Sequence, residues 1–554
     1  MMLKEQQQRI KALAKNGVDV LIIGAGINGA GLYRDLCEQG VTCLIVDKSD
    51  FGSGTSAAPS RLIHGGLKYL ETGEFSLVAQ STYERNLLLR NAPHCVEPLE
   101  TVIPIFSWAK GIGPALKTLF GWKATARSRG ALLIKTGLML YDFYGAKARV
   151  MPRHAMWSRA QALREIPSFT PRIVAAGTYY DAKISRPERL VWELIKDGFT
   201  AQPLSAAMNY TAIMDTKNGA VSFTGTDGFA FTVKPKIVVN AAGPWIDAVN
   251  AKLGAPSKLI GGTKGSHIIL HHPQLLAELN GRMIYFEADD GRILLAYPYE
   301  GHVLVGSTDQ KADDPDNVKC EDWEIDYFIA SLRSLLPALD FTHEQILYAY
   351  SGIRPLPASD AKSVGLISRD HSSPAIEPDG TRSFPIISLV GGKWTTFRGF
   401  AEEVADALLK RLSRLRVVST ASLAIGGGRD FVVGKADAQN ARYGSTAKEI
   451  SKTGEALQDA SSYLLSEFEW IARNEMVQSL SDLVLRRTVF GLGGEVSLRD
   501  LESVADVAVC ELGWSKARRA SELKSALEIL TVKHRVRLLP SASPKPKSKM
   551  IRST

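Results

Sequence analysis

One stretch constrains this chain more than any other. It is Val18-Asp19-Val20-Leu21-Ile22-Ile23-Gly24-Ala25-Gly26-Ile27-Asn28-Gly29, followed by a helical segment to about Gln39 and a second apolar run, Leu44-Ile45-Val46, ending on Asp47 and Lys48. Strand, glycines spaced G-x-G-x-x-G, helix, strand and acid occur in the order of a dinucleotide-binding βαβ unit. Gly24 permits the tight turn out of the strand, Gly26 lets backbone approach a pyrophosphate, and Gly29 lets the helix pack on the strand. The helix start at Ile27 and Asn28 offers N–H groups and partial positive charge to phosphates. Asp47 is placed to accept hydrogen bonds from an adenosine ribose, with Lys48 beside it as a further nucleotide contact. The motif suits FAD and NAD alike.

At 554 residues the chain exceeds what one hydrophobic core usually organises, so two or three domains are expected. Residues 1–17 are polar and charged, so no secretory signal is expected, and no apolar run reaches the ~18 residues of a membrane span. The cysteines (Cys37, Cys43, Cys95, Cys320, Cys510) are scattered, without a C-x-x-C, which fits a reduced cytoplasmic setting and no metal site. The net charge of +9 suits anionic substrates or membrane surfaces; nucleic acid has only this balance behind it and is not expected as a partner.

After the βαβ unit comes Gly52-Ser53-Gly54-Thr55-Ser56-Ala57-Ala58-Pro59-Ser60-Arg61-Leu62-Ile63-His64-Gly65-Gly66-Leu67-Lys68-Tyr69-Leu70-Glu71. Small and hydroxylated residues crowd its first half, which lets backbone lie close to a ligand, and Arg61, His64 and Lys68 follow before a helix near 75–90. Residues 55–71 resemble the segment that follows the fingerprint in FAD-dependent glycerol-3-phosphate dehydrogenases, part of the flavin oxidoreductases that share the glycine/D-amino-acid oxidase fold. The resemblance implies FAD rather than NAD, with the whole segment 55–66, and in it Thr55, Ser56, Arg61, His64, Gly65 and Gly66, along the pyrophosphate and flavin.

Further matches are widely spaced and extend over about residues 18–535. The strand Lys236-Ile237-Val238-Val239-Asn240 runs into Ala241-Ala242-Gly243, which in the family returns under the nucleotide, so Ala242 and Gly243 join the cofactor site. His267 heads an apolar strand at the position of the family's active-site histidine, and Thr308-Asp309 matches its Gly-x-Thr-Asp. Arg354, in Tyr-Ser-Gly-Ile-Arg-Pro-Leu, and Arg369 supply planar forks suited to phosphate. Gly391-Gly392-Lys393-Trp394-Thr395-Thr396 breaks a buried strand and opens a second helix, and its likeness to the family's Gly-Gly-Lys-x-Thr-Thr implies Gly392 and Thr395 at the flavin's O2 edge.

The implied reaction is oxidation of glycerol 3-phosphate to dihydroxyacetone phosphate with electrons passed to a membrane quinone. His267 is the candidate base and Arg354 its partner in catalysis. Arg354, Lys393, Arg369, Lys68 and Tyr69 are the candidate substrate contacts. Three departures stand against the family pattern: Lys68 where Arg is usual, Ser185-Arg186-Pro187 at the opening of the 187–194 helix, and Pro357-Ala358-Ser359-Asp360 where acids are usual. They keep open another phosphorylated polyol or hydroxy acid as substrate; an oxidase that gives electrons to oxygen is a related alternative, and a non-catalytic nucleotide-binding protein is the distant one. Ser185 is expected to N-cap the helix before Pro187, with Arg186 at the surface or on an anion.

From 101 to 141 there is no acid, while Lys110, Lys117, Lys123, Arg127, Arg129 and Lys135 are interleaved with Trp108, Phe120 and Trp122. Such a segment suits either a bilayer interface on the cytoplasmic face of the inner membrane or a solvated insertion. The expected architecture is α/β. A discontinuous Rossmann-like FAD domain (18–100, 186–250, 350–425) joins a mixed or antiparallel β substrate domain (101–185, 251–349). A helical cap (426–540), with an amphipathic helix over 467–488, and a basic, disordered tail (541–554) complete the chain. Self-association as a homodimer is left open.

Overall fold

The computed structural model describes residues 2–70, 73–108, 130–146, 150–312, 314–358, 371–432, 434, 437–458 and 462–540. Val18–Ile23 is buried at every position, as a central parallel strand requires when both faces are covered by helices. It pairs in parallel with Cys43–Val46 on one side and Pro235–Asn240 on the other. Ala206–Met208 and Ile386–Ser388 extend the sheet in parallel, and Ala375–Ile376 closes it antiparallel. Helices Ile27–Glu38, Pro187–Ala201 and Phe397–Arg411 pack with it into one core. The polar opening segment also belongs here: Met2–Asn16 is a helix whose Gln6, Ile10 and Leu13 form a buried stripe, and Gln6 Oε1 accepts from Ala207 N.

The second layer is a ten-stranded mixed sheet. Its long strands are Val96–Ile105, Ala175–Ile184, Ile260–Leu270 and Ile346–Pro357. Neighbouring strands are antiparallel except where Met283–Glu287 meets Val96–Ile105. Two boundaries expected from sequence fall inside strands, at 100 and at 350. Ile346–Pro357 pairs with Ile260–Leu270 over its length, so it belongs to this sheet rather than to the nucleotide layer.

At the start of Pro187–Ala201 the expected cap is corrected. Pro187 keeps its predecessor out of the helical region, so Arg186, at φ −135° and ψ 77°, takes the cap position without a capping side chain. Ser185 Oγ instead donates to Cys95 O at 3.2 Å. Arg186 is buried, not on the surface, and donates to Glu300 Oε1 at 3.0 Å and Ala441 O at 3.2 Å.

The cap is helical, with Leu465–Asn474, Leu498–Leu512 and Lys516–Glu528. The single amphipathic helix expected over 467–488 is interrupted: it stops at Asn474, and a π-helical turn follows over Asp482–Arg487. Buried charge explains the break. Glu475 takes a bidentate pair from Arg189, both at 2.9 Å, and Arg487 donates to Asp50 at 2.7 and 2.9 Å. The cap is thereby fastened to the loop that follows Asp47.

Candidate active site

The glycines of the first turn do different things. At Gly24 a Cβ would lie 2.5 Å from Ala241 O, and at Gly29 2.0 Å from Gly24 O, so both are demanded by protein packing. At Gly26 the nearest atom would be Ser56 Oγ at 3.1 Å, which leaves its face open to a ligand. Ile27 N donates to Ser56 Oγ at 2.9 Å, and Gly26 at the cap position supplies no side chain to the helix start. Asp47 Oδ2 accepts from Ala25 N at 2.7 Å and Oδ1 from Ser49 N at 2.9 Å. Burial pushes this carboxyl up to about 6, against the lowering effect of those two N–H donors. Lys48 is exposed, with its ammonium 2.9 Å from Asp316 and over the Trp245 ring at 4.2 Å.

Four distant segments are tied together in front of this turn. Thr55 Oγ1 donates to Ile353 O at 2.5 Å, and Asn28 Nδ2 to Gly391 O at 3.1 Å. Thr395 Oγ1 accepts from His64 N at 3.1 Å and donates to His64 O at 3.2 Å. Gly391 N donates to Pro355 O at 3.2 Å, and Gly392 sits at φ 89°, a conformation that suits glycine. Ala242 and Gly243 follow Pro235–Asn240 into the same region, with Ala242 N donating to Asn240 Oδ1 at 3.1 Å. Asn28 Oδ1 and Trp394 Nε1 are buried without partners among the described residues, one an acceptor and one a donor. A flavin, whose polar ring edge carries both an N–H and carbonyl oxygens, fits that pair and the open face of Gly26.

The candidate catalytic residues sit on two paired strands. His267 stands opposite Tyr350, Gly265 opposite Gly352, and Thr263 opposite Arg354. Because side chains alternate, these pairs share one face. Arg354 leans over Gly265, where a Cβ would fall 2.2 Å from Nη2. Its guanidinium donates to Asp309 Oδ1 at 3.0 Å and Ser307 Oγ at 3.1 Å. Glu324, fully buried, accepts from Thr308 Oγ1 at 2.6 Å and Ser266 Oγ at 2.7 Å and so braces that loop from behind. His267 lies inside its strand rather than at its head, 1% exposed, with its ring 4.9 Å from Tyr350 and nearly parallel to it. Its Nε2 is 2.8 Å from Ser60 Oγ. Burial holds the imidazole well below its usual pKa, and the Arg354 and Arg61 cations add to this, so it is neutral at neutral pH.

Other expected residues are placed differently. The Arg61 side chain turns away from the cofactor segment: it is fully buried, 2.9 Å from Glu188 and over the Tyr299 ring. The Gly65 N–H is taken by Tyr141 Oη at 2.9 Å and Asp181 Oδ1 at 3.0 Å, and Gly66 packs on the Tyr69 ring, so these glycines serve close packing. Tyr69 is buried, with Lys393 Nζ 3.7 Å above its ring. Lys68 lies on the short helix Leu67–Leu70, and Arg369 lies outside the described residues. The sequence reading covers Ser60 within the 55–66 segment and Asp309 within the Thr-Asp match without giving either a role, and it misses Tyr350 and Glu324 as members of the site. For Ser60 the signal was its place in the hydroxyl-rich loop; for Glu324 there was none.

The chain is similar to known proteins along most of its length. Residues 19–407 match the FAD dependent oxidoreductase family, and residues 387–519 match the C-terminal domain of alpha-glycerophosphate oxidase. A glycerol-3-phosphate dehydrogenase of Synechocystis sp. is 37% identical over 72% of this chain and 70% of its own. The aerobic glycerol-3-phosphate dehydrogenase of Bacillus subtilis is 28% identical over 87% of this chain and 89% of its own. Among solved structures, the glycerol-3-phosphate dehydrogenase of Bacillus halodurans complexed with FAD superposes with a TM-score of 0.70 at 22% identity, covering 98% of this chain and 99% of that one.

Proposed function

The chain belongs to the FAD dependent oxidoreductase family, with the C-terminal domain of alpha-glycerophosphate oxidase joined to it, and from this premise we infer that it oxidises glycerol 3-phosphate to dihydroxyacetone phosphate. The observation that carries the reading is a neutral imidazole and a guanidinium on one sheet face, in front of a dinucleotide turn. Bound FAD supplies the acceptor for the hydride of the carbinol carbon. Gly26, Ile27, Asn28, Asp47, Thr55, Ser56, His64, Ala242, Gly243, Gly392 and Thr395 would hold it.

His267 takes the alcohol proton, and Arg354 and Lys393 hold the phosphate with Tyr69 beside Lys393, while Lys68 and Arg369 are candidate contacts from the sequence pattern alone. Phosphate at Arg354 offsets one of the two cations that depress His267, so the base strengthens once substrate is in place. Arg354→Ala should therefore raise the substrate concentration for half-maximal flavin bleaching about 10- to 100-fold, with a smaller effect on the saturated rate. Anaerobic bleaching by a panel of phosphorylated polyols and hydroxy acids checks both the substrate and this role; no response to glycerol 3-phosphate would refute the reading.

Electrons pass on to a quinone, reached from the cytoplasmic face of a membrane. No helix among the described residues is long and apolar enough to cross one. What supports surface docking is the helix Ala131–Tyr144, which buries Ile134, Leu138 and Tyr141 and turns Leu132, Met139, Leu140 and Phe143 outward near the exposed Trp108. The 101–141 segment is not wholly an insertion, since residues 101–105 complete the interior strand Val96–Ile105; Lys110, Lys117, Phe120, Trp122, Lys123, Arg127 and Arg129 lie outside the described residues. Leu132→Ser with Phe143→Ser should abolish the salt-resistant part of binding to anionic vesicles and stop quinone reduction, while bleaching by substrate survives. Wild-type protein that ignores such vesicles and reoxidises fully with oxygen would make it an oxidase instead.

A further inference from the structure

His267 is shut off from solvent. Tyr350 covers one face of its ring, and Gly306 packs so closely that a Cβ there would fall 2.1 Å from Cδ2. Its Nδ1 is buried without a partner among the described residues, and Nε2 meets Ser60 Oγ. Ser60, by contrast, is half-buried. A proton that reaches the imidazole along a hydrogen bond arrives through this hydroxyl.

The hydroxyl is also held for the task. Tyr297 Oη donates to Ser60 O at 3.0 Å, and Tyr350 Oη to Pro59 O at 2.9 Å, so two buried phenols pin consecutive carbonyls. Arg61, the next residue, adopts φ 53°, a left-handed conformation unusual for a side chain of its size, and is locked by Glu188 and by Ile184 N donating to its carbonyl. The backbone is clamped on both sides of a hydroxyl that remains free to rotate about its own bond.

We propose that Ser60 is a further catalytic residue: its hydroxyl touches the alcohol of the substrate and relays that proton to Nε2 of His267. The inference rests on the reading of the site as an alcohol-oxidising centre. The balance is simple. The substrate O–H bond breaks and its proton bonds to Ser60 Oγ, while the proton Ser60 carried moves to Nε2; serine is regenerated and the imidazole gains one positive charge. The relay requires the tautomer with its proton on Nδ1, so that Nε2 accepts from Ser60.

The test uses the FAD-loaded enzyme and glycerol 3-phosphate in anaerobic single-turnover bleaching. Ser60→Ala should slow flavin reduction at saturation about 10- to 100-fold with little change in substrate affinity. Added to His267→Ala it should cost nothing further, because both residues serve one proton transfer. Rates in mixed light and heavy water should reveal two moving protons in the wild type and one in Ser60→Ala. Independently of turnover, ¹⁵N signals of labelled histidine should show Nε2 as an acceptor in the wild type and shift in Ser60→Ala. A wild-type rate in Ser60→Ala, effects that add to those of His267→Ala, or an Nε2–H tautomer would overturn the relay. If glycerol 3-phosphate fails to bleach even the wild type, the substrate reading falls, and the nitrogen signals still decide whether Ser60 donates to His267.

Discussion

His267→Ala is expected to reduce flavin bleaching by saturating glycerol 3-phosphate about 10²- to 10⁴-fold, with the half-saturating concentration nearly unchanged. The expectation comes from where the imidazole sits. It is buried and stacked on Tyr350, and although it packs on Gly306 it makes none of the hydrogen bonds that hold Arg354 at Ser307 and Asp309, so its loss leaves the phosphate anchor's own bonds in place. Its protonation gives a second signature. Burial and two nearby cations lower the histidine's pKa, so in the free enzyme the base stays neutral through the ordinary imidazole range near ~6.5. The pH profile of kcat/KM should stay level across that range and fall only as pH drops through the depressed value, where the imidazole becomes protonated. In His267→Ala this acid limb should disappear. Stopped-flow bleaching from acid to neutral pH checks both; a variant that matches the wild-type rate at every pH would place the base elsewhere.

Gly26→Val should yield a folded but colourless protein. The sequence pattern already gives the three glycines different tasks, and the structure shows what a side chain would meet at each. A side chain at Gly24 or Gly29 strikes backbone at 2.5 or 2.0 Å, so substitution there disrupts the turn itself. At Gly26 the nearest obstacle is one serine hydroxyl at 3.1 Å, and the branched chain projects into the space left for the pyrophosphate. The wild type should be yellow, release FAD on denaturation, and melt higher with added FAD, whereas Gly26→Val should melt cooperatively and ignore it. Retention of the yellow colour by Gly26→Val would show that the phosphates do not lie over this turn. A colourless wild type that binds NAD tightly would end the flavin reading altogether.

The sequence was read best where the deciding contacts are local. Strand Val18–Ile23, helix Ile27–Glu38 and strand Cys43–Val46 follow one another directly, and their glycines, acid and apolar runs specify both the elements and their ligand class. The turn at Gly391 and Gly392 was legible for the same reason, since a broken strand opening into the helix Phe397–Arg411 is a neighbour relation along the chain. Arg186, expected at the surface or on an anion, and Arg61, expected along the cofactor, both have side chains buried on carboxylates, Glu300 and Glu188, that lie far off in sequence and that no local pattern reveals. The helix expected over 467–488 failed likewise: its periodicity is sound, and the break comes from ion pairs reaching Arg189 and Asp50.

By itself, then, the sequence determined the nucleotide-binding layer, the residue types of the site and the order in which they arrive. Only the tertiary structure decided which of them meet. The pairing of His267 with Tyr350 and of Thr263 with Arg354 depends on strand register, and a slip of one residue would turn each set of side chains to the opposite face. Ser60 finds His267 across 207 residues and Arg487 finds Asp50 across 437, contacts that no local pattern encodes because they are set by how the two sheets and the cap pack together.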